Sequence, residues 1–453
     1  MLNPSALQNS TSAGGDSSGF RLDAGRGLVA LACVSLVLLA ALSPVFPDDL
    51  SRFEVQRAHM MLNIIRKDLE KYYYDEEFHG IQLEDAFKRA SDKIDQAKSV
   101  SQLFAGISRP LLELNDSHTF FIPPGRSSVV HFGWQMQMIG DRCFVTAVQE
   151  GSDAEAKGVK KGDLILEVDG HKPGRENLWG MYYVYRILAP RASVPLLVQS
   201  PGGQARRIEV VAKVEKKLRV TGVGAIINEM KNEAYLNRHR FQEVGEDLLI
   251  WKMPQFDKTN DEVRHEMSRV QKRPALILDL RGNPGGAVET LEGMIGALVG
   301  EKTKIGDLKS REPQQPMVAK KAGDVYQGKL VVLVDSDSAS AAELFARMMQ
   351  LTGRARVIGD RTSGSVMESR GYDHMIGDNS GIFFATSITI ADIIMSDGKS
   401  LEHAGVVPDE VLLPTAEDLA AGRDPVLSHA ASLCGAEITP ETAGGYFPFE
   451  WKR

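Results

Sequence analysis

The sequence has little cysteine, and its basic residues do not outnumber its acidic ones. Its 453 residues include only Cys33, Cys143 and Cys434, and their spacing fits no metal site. This scarcity excludes a disulfide framework as the basis of the fold. The formal net charge of −7 gives no reason to expect a nucleic-acid partner. Because no nucleotide or metal motif is visible, we expect no cofactor.

The first 46 residues divide into a polar and an apolar segment. Residues 1–26 are rich in Ser, Gly and Asn, and we predict a disordered cytoplasmic terminus. Residues 27–46 carry no charge and are long enough for one membrane span. Arg21 and Arg26 precede this segment, which favours a membrane anchor with the rest of the chain in the periplasm or outside the cell. A signal segment cleaved near residues 41–43 is the alternative, and it would release a secreted protein.

The pattern of the remaining chain predicts an α/β core preceded by other units. Residues 49–127 show apolar positions at helical spacing and predict a helical segment. Residues 216–415 alternate strands with helices, which predicts a mostly parallel sheet with crossover helices. Residues 416–453 are expected to form a C-terminal tail that begins with a short helix at 415–421. The predicted core strands are 247–253, 276–280, 330–334 and 356–358, and the helices between them are 261–271, 288–299 and 341–351.

Two predicted core strands end in stretches suited to a nucleophilic site. Residues 331–343 run from an apolar strand through serines into a helix, whose N-terminus favours a developing negative charge. The alternative is that Ser336, Ser338 and Ser340 only cap the helix. Residues 275–286 end in a glycine-rich turn, which can offer backbone N–H donors. Side by side, the two turns would provide a nucleophile and an oxyanion hole.

These stretches resemble the S41 peptidase family, which contains the carboxyl-terminal processing (tail-specific) proteases and the tricorn-type proteases. The resemblance covers roughly residues 50–415 and is specific in DLRGNPGG at 279–286, SASAAE at 338–343 and a PDZ-like segment before both. It implies a serine endopeptidase acting on unfolded or tail-exposed proteins. Ser340 is the implied nucleophile, with Ser338 as the fallback. The implied oxyanion donors are the backbone N–H groups of Gly285 or Gly286 and of Ala341.

The lysine branch of the family is not matched at its base. That branch carries a lysine 25 residues after the serine, where this chain has Ser365, and an assisting aspartate where it has Leu351. The hydroxyl of Ser365 holds its own proton too tightly to act as a base. The serine–lysine mechanism is therefore excluded. Either the chain is inactive or its base lies elsewhere.

The tricorn-type branch offers another base. Ser117 and His118 match its Ser-His pair, and Glu402 matches the glutamate of its Glu-x-x-Gly-Val-x-Pro-Asp block. A histidine can accept a serine proton near neutral pH and return it to the leaving amine. The resemblance thus implies His118 as the base, with Ser117 and Glu402 as orienting groups. Asp116 competes for the orienting role.

The sequence leaves two alternatives open, one for the base and one for the function. His374 and His403 are lesser candidates for the base, because neither matches a family position. A catalytically inactive relative, acting as a peptide-binding scaffold or regulator, is the alternative to an enzyme.

Residues 128–215 resemble a PDZ domain inserted before the core. Phe132, Gly133 and Trp134 stand where PDZ domains have the loop that binds a peptide carboxylate. Such domains bind a peptide as an additional strand, so protein or peptide partners are implied. The alternative is a PDZ fold that only packs against the core and gates it.

Overall fold

A computed structural model describes residues 50–126, 128–216, 236–377 and 381–451. The polar terminus predicted at 1–26 and the anchor or signal segment predicted at 27–46 lie outside these residues. Within the described ranges, no helix combines the length and the apolar character that crossing a bilayer requires.

The elements follow the sequence pattern closely, with helices before and after the strands of the core. Helices α1 to α11 are Arg52–Tyr72, Leu83–Asp95, Val100–Glu113, Asp153–Ala156, Leu178–Tyr183, Asn260–Val270, Val288–Val299, Ala341–Leu351, Ala416–Ala421, Pro425–Leu433 and Pro440–Tyr446. Helix α5 continues into a wider turn, Val184–Leu188. Strands β1 to β9 are Phe120–Ile122, Ser128–His131, Trp134–Ile139, Arg142–Val148, Leu164–Val168, Ser193–Gln199, Ala205–Val211, Lys213–Lys216 and Arg240–Val244. Strands β10 to β18 are Leu248–Lys252, Ala275–Asp279, Thr303–Lys309, Met317–Ala319, Lys329–Val334, Arg356–Gly359, Met367–Ile376, Ile382–Met395 and Glu410–Val411.

The core is a six-stranded sheet with the order β18-β15-β14-β11-β10-β9. Within this sheet the pairs β10–β11, β11–β14, β14–β15 and β15–β18 are parallel, and β9 pairs with β10 in antiparallel fashion. The prediction of a mostly parallel core sheet is therefore confirmed. Strand β11 is buried along its whole length, because helices cover both faces of the sheet.

The other described sheets are antiparallel, so the fold as a whole is mixed α/β. Strand β17 pairs with β1, β12 and β16, which ties the helical segment to the core. The segment predicted to be PDZ-like forms a five-stranded sheet, β3-β4-β5-β6-β7, with β3 at its edge. A mostly parallel arrangement thus applies to the core sheet alone.

The C-terminal region is more regular than the sequence predicts. One helix and a tail were expected, but α9 is followed by α10 and α11. Pro425 and Pro440 each occupy the start of a helix, after the capping residues Asp424 and Thr439. Helix α10 covers the second face of the core sheet. Asp424 also forms a two-point ion pair with Arg281, at 2.8 and 3.0 Å, beside the glycine-rich turn.

Two adjacent glycines in α11 test whether this helix packs against the turn at Gly422, which follows α9. A methyl group on Gly444 would lie 1.9 Å from the carbonyl oxygen of Gly422, whereas one on Gly445 would meet nothing within 4 Å. We expect Gly444→Ala to lower the free energy of unfolding by about 1–3 kcal/mol through overpacking. Gly445→Ala should leave that free energy unchanged or raise it by up to about 1 kcal/mol through helix propensity. Urea unfolding measures both, and equal effects would contradict the docking of α11.

Candidate active site

Ser340 lies at the turn between the end of β14 and the start of α8. Its backbone has φ 54° and ψ −120°, a conformation that residues other than glycine rarely adopt. Ordinary N-cap serines of this chain, such as Ser51 and Ser99, are extended instead. The Ser340 N–H donates to the carbonyl of Ser365 at 2.8 Å and to Glu343 Oε2 at 3.1 Å, which holds the strained turn in place.

The glycine-rich turn lies directly against this serine, as the two strand ends predict. A methyl group on Gly285 would come within 2.6 Å of Ser340 Cβ, so only glycine fits there. The Gly285 N–H is already donated to Asn283 Oδ1 at 2.8 Å, which removes it from the candidate oxyanion donors in this structure. Among the described residues, the N–H groups of Gly286 and Ala341 have no acceptor, and they remain the available donors.

His118 belongs to a hydrogen-bonded chain between α3 and β1. Its Nδ1 lies 2.7 Å from Ser117 Oγ, and this hydroxyl donates to Glu402 Oε2 at 2.9 Å. The Ser117 N–H also donates to Glu402 Oε1 at 3.0 Å. Because the Ser117 proton points to the carboxylate, its oxygen accepts from Nδ1–H. The ring nitrogen Nε2 is then the one left to act as a base.

Burial sets the protonation states of His118 and Glu402. It lowers the pKa of His118, and the negative charge of Asp116 opposes it only in part. Burial raises the pKa of Glu402 to about 8, and the nearby charge of Asp116 adds to this effect. His118 is consequently neutral at pH 7, which is the form a general base requires.

Asp116 orients the loop rather than the imidazole ring. Its carboxylate accepts from the backbone N–H of His118 at 2.8 Å, from the hydroxyl of Thr389 at 2.6 Å and from that of Tyr73 at 3.0 Å. Since these donors occupy both oxygens, Asp116 fixes the backbone from which the histidine projects.

The two lesser histidine candidates have other partners. His374 pairs with Asp68 at 2.6 Å and connects β16 to α1. His403 Nε2 lies 3.0 Å from the carbonyl oxygen of Asn115. His403 Nε2 also lies 3.6 Å from Glu402 Oε1, whereas His118 Nδ1 contacts the Ser117 hydroxyl at 2.7 Å.

The two halves of the site meet at residues 362–366, where the lysine branch would carry its base. Ser365 accepts the Ser340 N–H through its carbonyl, and the N–H of Val366 donates to Glu402 Oε2 at 2.7 Å. The Ser365 hydroxyl lies 2.8 Å from that of Ser363. The loop therefore joins the serine to the carboxylate of the histidine chain.

Two residues near the serine differ from expectation. Ser338, the fallback nucleophile, is fully buried and donates its hydroxyl to the carbonyl of Leu280 at 2.8 Å. Glu343 was not assigned a role from the sequence, yet it is fully buried and accepts hydrogen bonds from around the site. Its signal was the Ser-x-x-Glu spacing from Ser340, which is typical of a helix N-terminus.

The residues predicted for peptide binding are at the start of the PDZ-like sheet. The side chains of Phe132 and Trp134 are buried in its core. Gly133 has φ +72°, and a methyl group there would lie 2.4 Å from Ser152 Cβ. These positions offer backbone groups rather than side chains to a ligand.

The free edge of β3 is already hydrogen-bonded within the chain. The hydroxyl of Tyr182, in α5, accepts from the Met136 N–H at 3.2 Å and donates to its carbonyl at 2.7 Å. Ser336, from the turn that leads to Ser340, donates to the carbonyl of Met138 at 2.6 Å. A cavity of about 850 Å³ adjoins this edge and extends to the carboxyl ends of the parallel strands.

A strained serine at a strand-to-helix turn, a hydrogen-bonded histidine and a parallel α/β core are features found in hydrolases that use a serine nucleophile. Residues 247–412 match the family model described as peptidase family S41. This part of the chain, which contains the parallel core sheet and the Ser340 turn, is therefore similar to that family.

The individual relatives are distant. The chain is 27% identical over 413 residues to a Streptomyces coelicolor protein named as tricorn protease homolog 2, with 83% of this chain and 32% of that protein covered. It is 25% identical to the tail-specific protease of Haemophilus influenzae, with coverage of 65% and 43% respectively. It thus spans less than half the length of both.

Solved structures share the fold at low sequence identity. Mature CPAF matches with a TM-score of 0.62 and 16% identity, covering 81% of this chain and 94% of CPAF. The photosystem II D1 C-terminal processing protease matches with a TM-score of 0.51 and 18% identity, covering 85% and 99%.

The raised pKa of Glu402 predicts a pH dependence of stability. The folded chain keeps a proton on this carboxyl up to about pH 8, whereas an unfolded chain releases it near 4.5. The contribution of Glu402 to stability should therefore fall as pH rises from about 4.5 to about 8. We expect Glu402→Gln to reduce the change in Tm across this range, as measured by thermal unfolding. Glu417→Gln, at an exposed position, is the control, and an unchanged pH slope in Glu402→Gln would contradict the assignment.

Proposed function

We propose that this protein is a serine endopeptidase with Ser340 as nucleophile and His118 as general base. The observation that carries the proposal is the chain from His118 through Ser117 to Glu402, which residues 365 and 366 connect to the backbone of the strained Ser340 turn. Such a chain orients an imidazole and fixes which of its nitrogens carries the proton, which is one role of the third member of a catalytic triad. The family match and the names of the relatives support the same reaction class.

The proposed reaction proceeds through an acyl-enzyme. Ser340 Oγ attacks the carbonyl carbon of the scissile peptide bond while His118 Nε2 takes its proton. The oxyanion is stabilised by the N–H groups of Gly286 and Ala341. As the intermediate collapses, the C–N bond breaks and His118 returns the proton to the departing amine. Water then hydrolyses the ester, again with His118 as the base.

Covalent labelling tests this proposal directly. We expect a fluorophosphonate probe to label the wild-type protein at Ser340, located by intact mass and peptide mapping. Ser340→Ala should lose the label completely, and His118→Ala should slow it by roughly 10³-fold or more. Circular dichroism checks that each variant is folded.

The alternative, an inactive peptide-binding scaffold, is favoured by one observation: Ser365 replaces the family lysine. Absence of labelling in folded wild-type protein, both alone and with added peptide, would support the scaffold and contradict the enzyme. Adding peptide tests whether the site is closed only when no peptide is bound to the PDZ-like domain.

We further propose that the domains follow the boundaries given by the sequence: a helical segment at 49–127, a PDZ-like domain at 128–215, a catalytic core at 216–415 and a C-terminal region at 416–453. The PDZ-like domain would bind an extended peptide along β3, with its terminal carboxylate at residues 132–134. The edge position of β3 and the adjoining cavity support this function.

Peptide addition to β3 must compete with Tyr182. Because its hydroxyl bonds both backbone groups of Met136, we expect Tyr182→Phe to bind an apolar C-terminal peptide about three- to tenfold more tightly, as measured by fluorescence anisotropy. Tyr185→Phe is the matched control, because its hydroxyl contacts Asp169 instead of β3. Weaker or unchanged binding in Tyr182→Phe would place the peptide elsewhere.

We also propose that the protein works outside the cytoplasm. The uncharged segment 27–46, preceded by arginines, supports this location in either of its two interpretations, anchor or signal. Its substrates would be unfolded or tail-exposed proteins.

A further inference from the structure

Glu343 is a buried carboxylate that is satisfied without a cation among its hydrogen-bond partners. Its Oε1 accepts the Thr362 hydroxyl at 2.5 Å and the Gly364 N–H at 2.8 Å. Its Oε2 accepts the Ser365 N–H at 3.0 Å and the Ser340 N–H at 3.1 Å. One side chain therefore holds the backbone of the proposed nucleophile and the loop opposite it.

The loop 362–366 divides its backbone donors between the two halves of the site. On the serine side, the N–H groups of residues 363, 364 and 365 go to the Ser338 carbonyl and to Glu343. On the histidine side, the N–H groups of residues 362 and 366 go to the Val406 carbonyl and to Glu402. Consecutive residues 365 and 366 thus reach two different buried carboxylates.

We propose that Glu343 is a positioning residue that, through the loop 362–366, fixes the placement of Ser340 relative to the His118–Glu402 chain. This inference rests on the proposed function and adds a residue to which neither the sequence motif nor the family resemblance gave a role. In the lysine branch this stretch would carry the base. In this chain the loop 362–366 instead connects the proposed nucleophile to the proposed base.

The chemistry of the donors explains why a carboxylate is required. All four groups that point at Glu343 are donors, so the side chain must be acceptor-only with two oxygens. Glutamine has the same shape but turns an NH2 group towards two of those donors. The resulting mismatch would displace the loop, and a displacement of about 1 Å can cost about 10²-fold in rate.

A conservative variant tests the proposal in the full-length protein. We expect Glu343→Gln to lower the rate of fluorophosphonate labelling at Ser340 by about 10²-fold. On a peptide substrate, kcat should fall by a similar factor while KM changes less than about threefold, because the residue positions groups and does not bind substrate. Thr362→Val, which removes one of the four donors, should lower the rate by about tenfold.

Glu368→Gln is the matched control. Glu368 is a partly buried carboxylate in β16, two residues beyond the loop, and burial raises its pKa as it does that of Glu343. It makes none of the contacts described above. Its replacement should leave the labelling rate and kcat at the wild-type level.

The pH profile separates positioning from a general loss of stability. Burial raises the pKa of Glu343 to about 7, so acidification through this range adds a proton where an acceptor is needed. Wild-type labelling should therefore decline as pH falls through about 7. This component should be absent in Glu343→Gln, which keeps the components from Glu402, near pH 8, and from His118, below 6.5.

Hydrogen exchange measured by mass spectrometry makes the test independent of activity. Glu343→Gln should speed exchange at residues 362–366 and near Glu402, and Glu368→Gln should not. If wild-type protein takes no label, the proposed enzyme is wrong, while faster exchange in Glu343→Gln would still support the coupling. Wild-type labelling rates in Glu343→Gln, or unchanged exchange in the loop, would overturn the inference.

Discussion

The site depends on burying two carboxyl groups whose hydrogen-bond donors are neutral backbone N–H and hydroxyl groups. Such burial is costly, and hydrogen bonds to the charged oxygens must offset it. Glu402 and Glu343 are both largely enclosed, and burial raises the pKa of each. Each is satisfied by backbone N–H groups and a hydroxyl, so each requires several segments of chain in fixed places. The geometry of the serine turn and of the histidine loop follows from satisfying these two carboxylates.

A third buried carboxylate is satisfied in the opposite way. Burial alone would raise the pKa of Asp279, but Arg281 and Lys252 outweigh it and hold that pKa below its usual range. Arg281 continues to Asp424 at the start of α10. The glycine-rich turn is therefore supported by ion pairs from a helix that follows the matched family segment. The C-terminal region belongs to the architecture of the site rather than being an appendage to it.

The sequence predicts the parts of this protein that are local and periodic. The alternation of apolar strands and helices predicted the parallel core and placed the serine turn beside the glycine-rich turn, while the resemblance to the family's motif singled out Ser340 among the serines. It could not predict the role of Glu343, because residues near 364 reach it through the fold and not through sequence proximity. It also missed α10 and α11, whose proline and capping signals lie in a stretch with little apolar periodicity. The engagement of the Gly285 N–H by Asn283 depends on a single side-chain rotamer, which no pattern encodes.

The hydroxyls of Tyr182 and Ser336 have a consequence beyond peptide binding. An unpaired edge strand is a template on which a second molecule can extend the sheet, and this is a common start of aggregation. In β3 the outward groups of Met136 and Met138 are met by side chains of the same chain. The strand is therefore protected from other copies of the protein, and a peptide adds to it only by displacing these contacts. Solubility at high concentration would then depend on the same two hydroxyls.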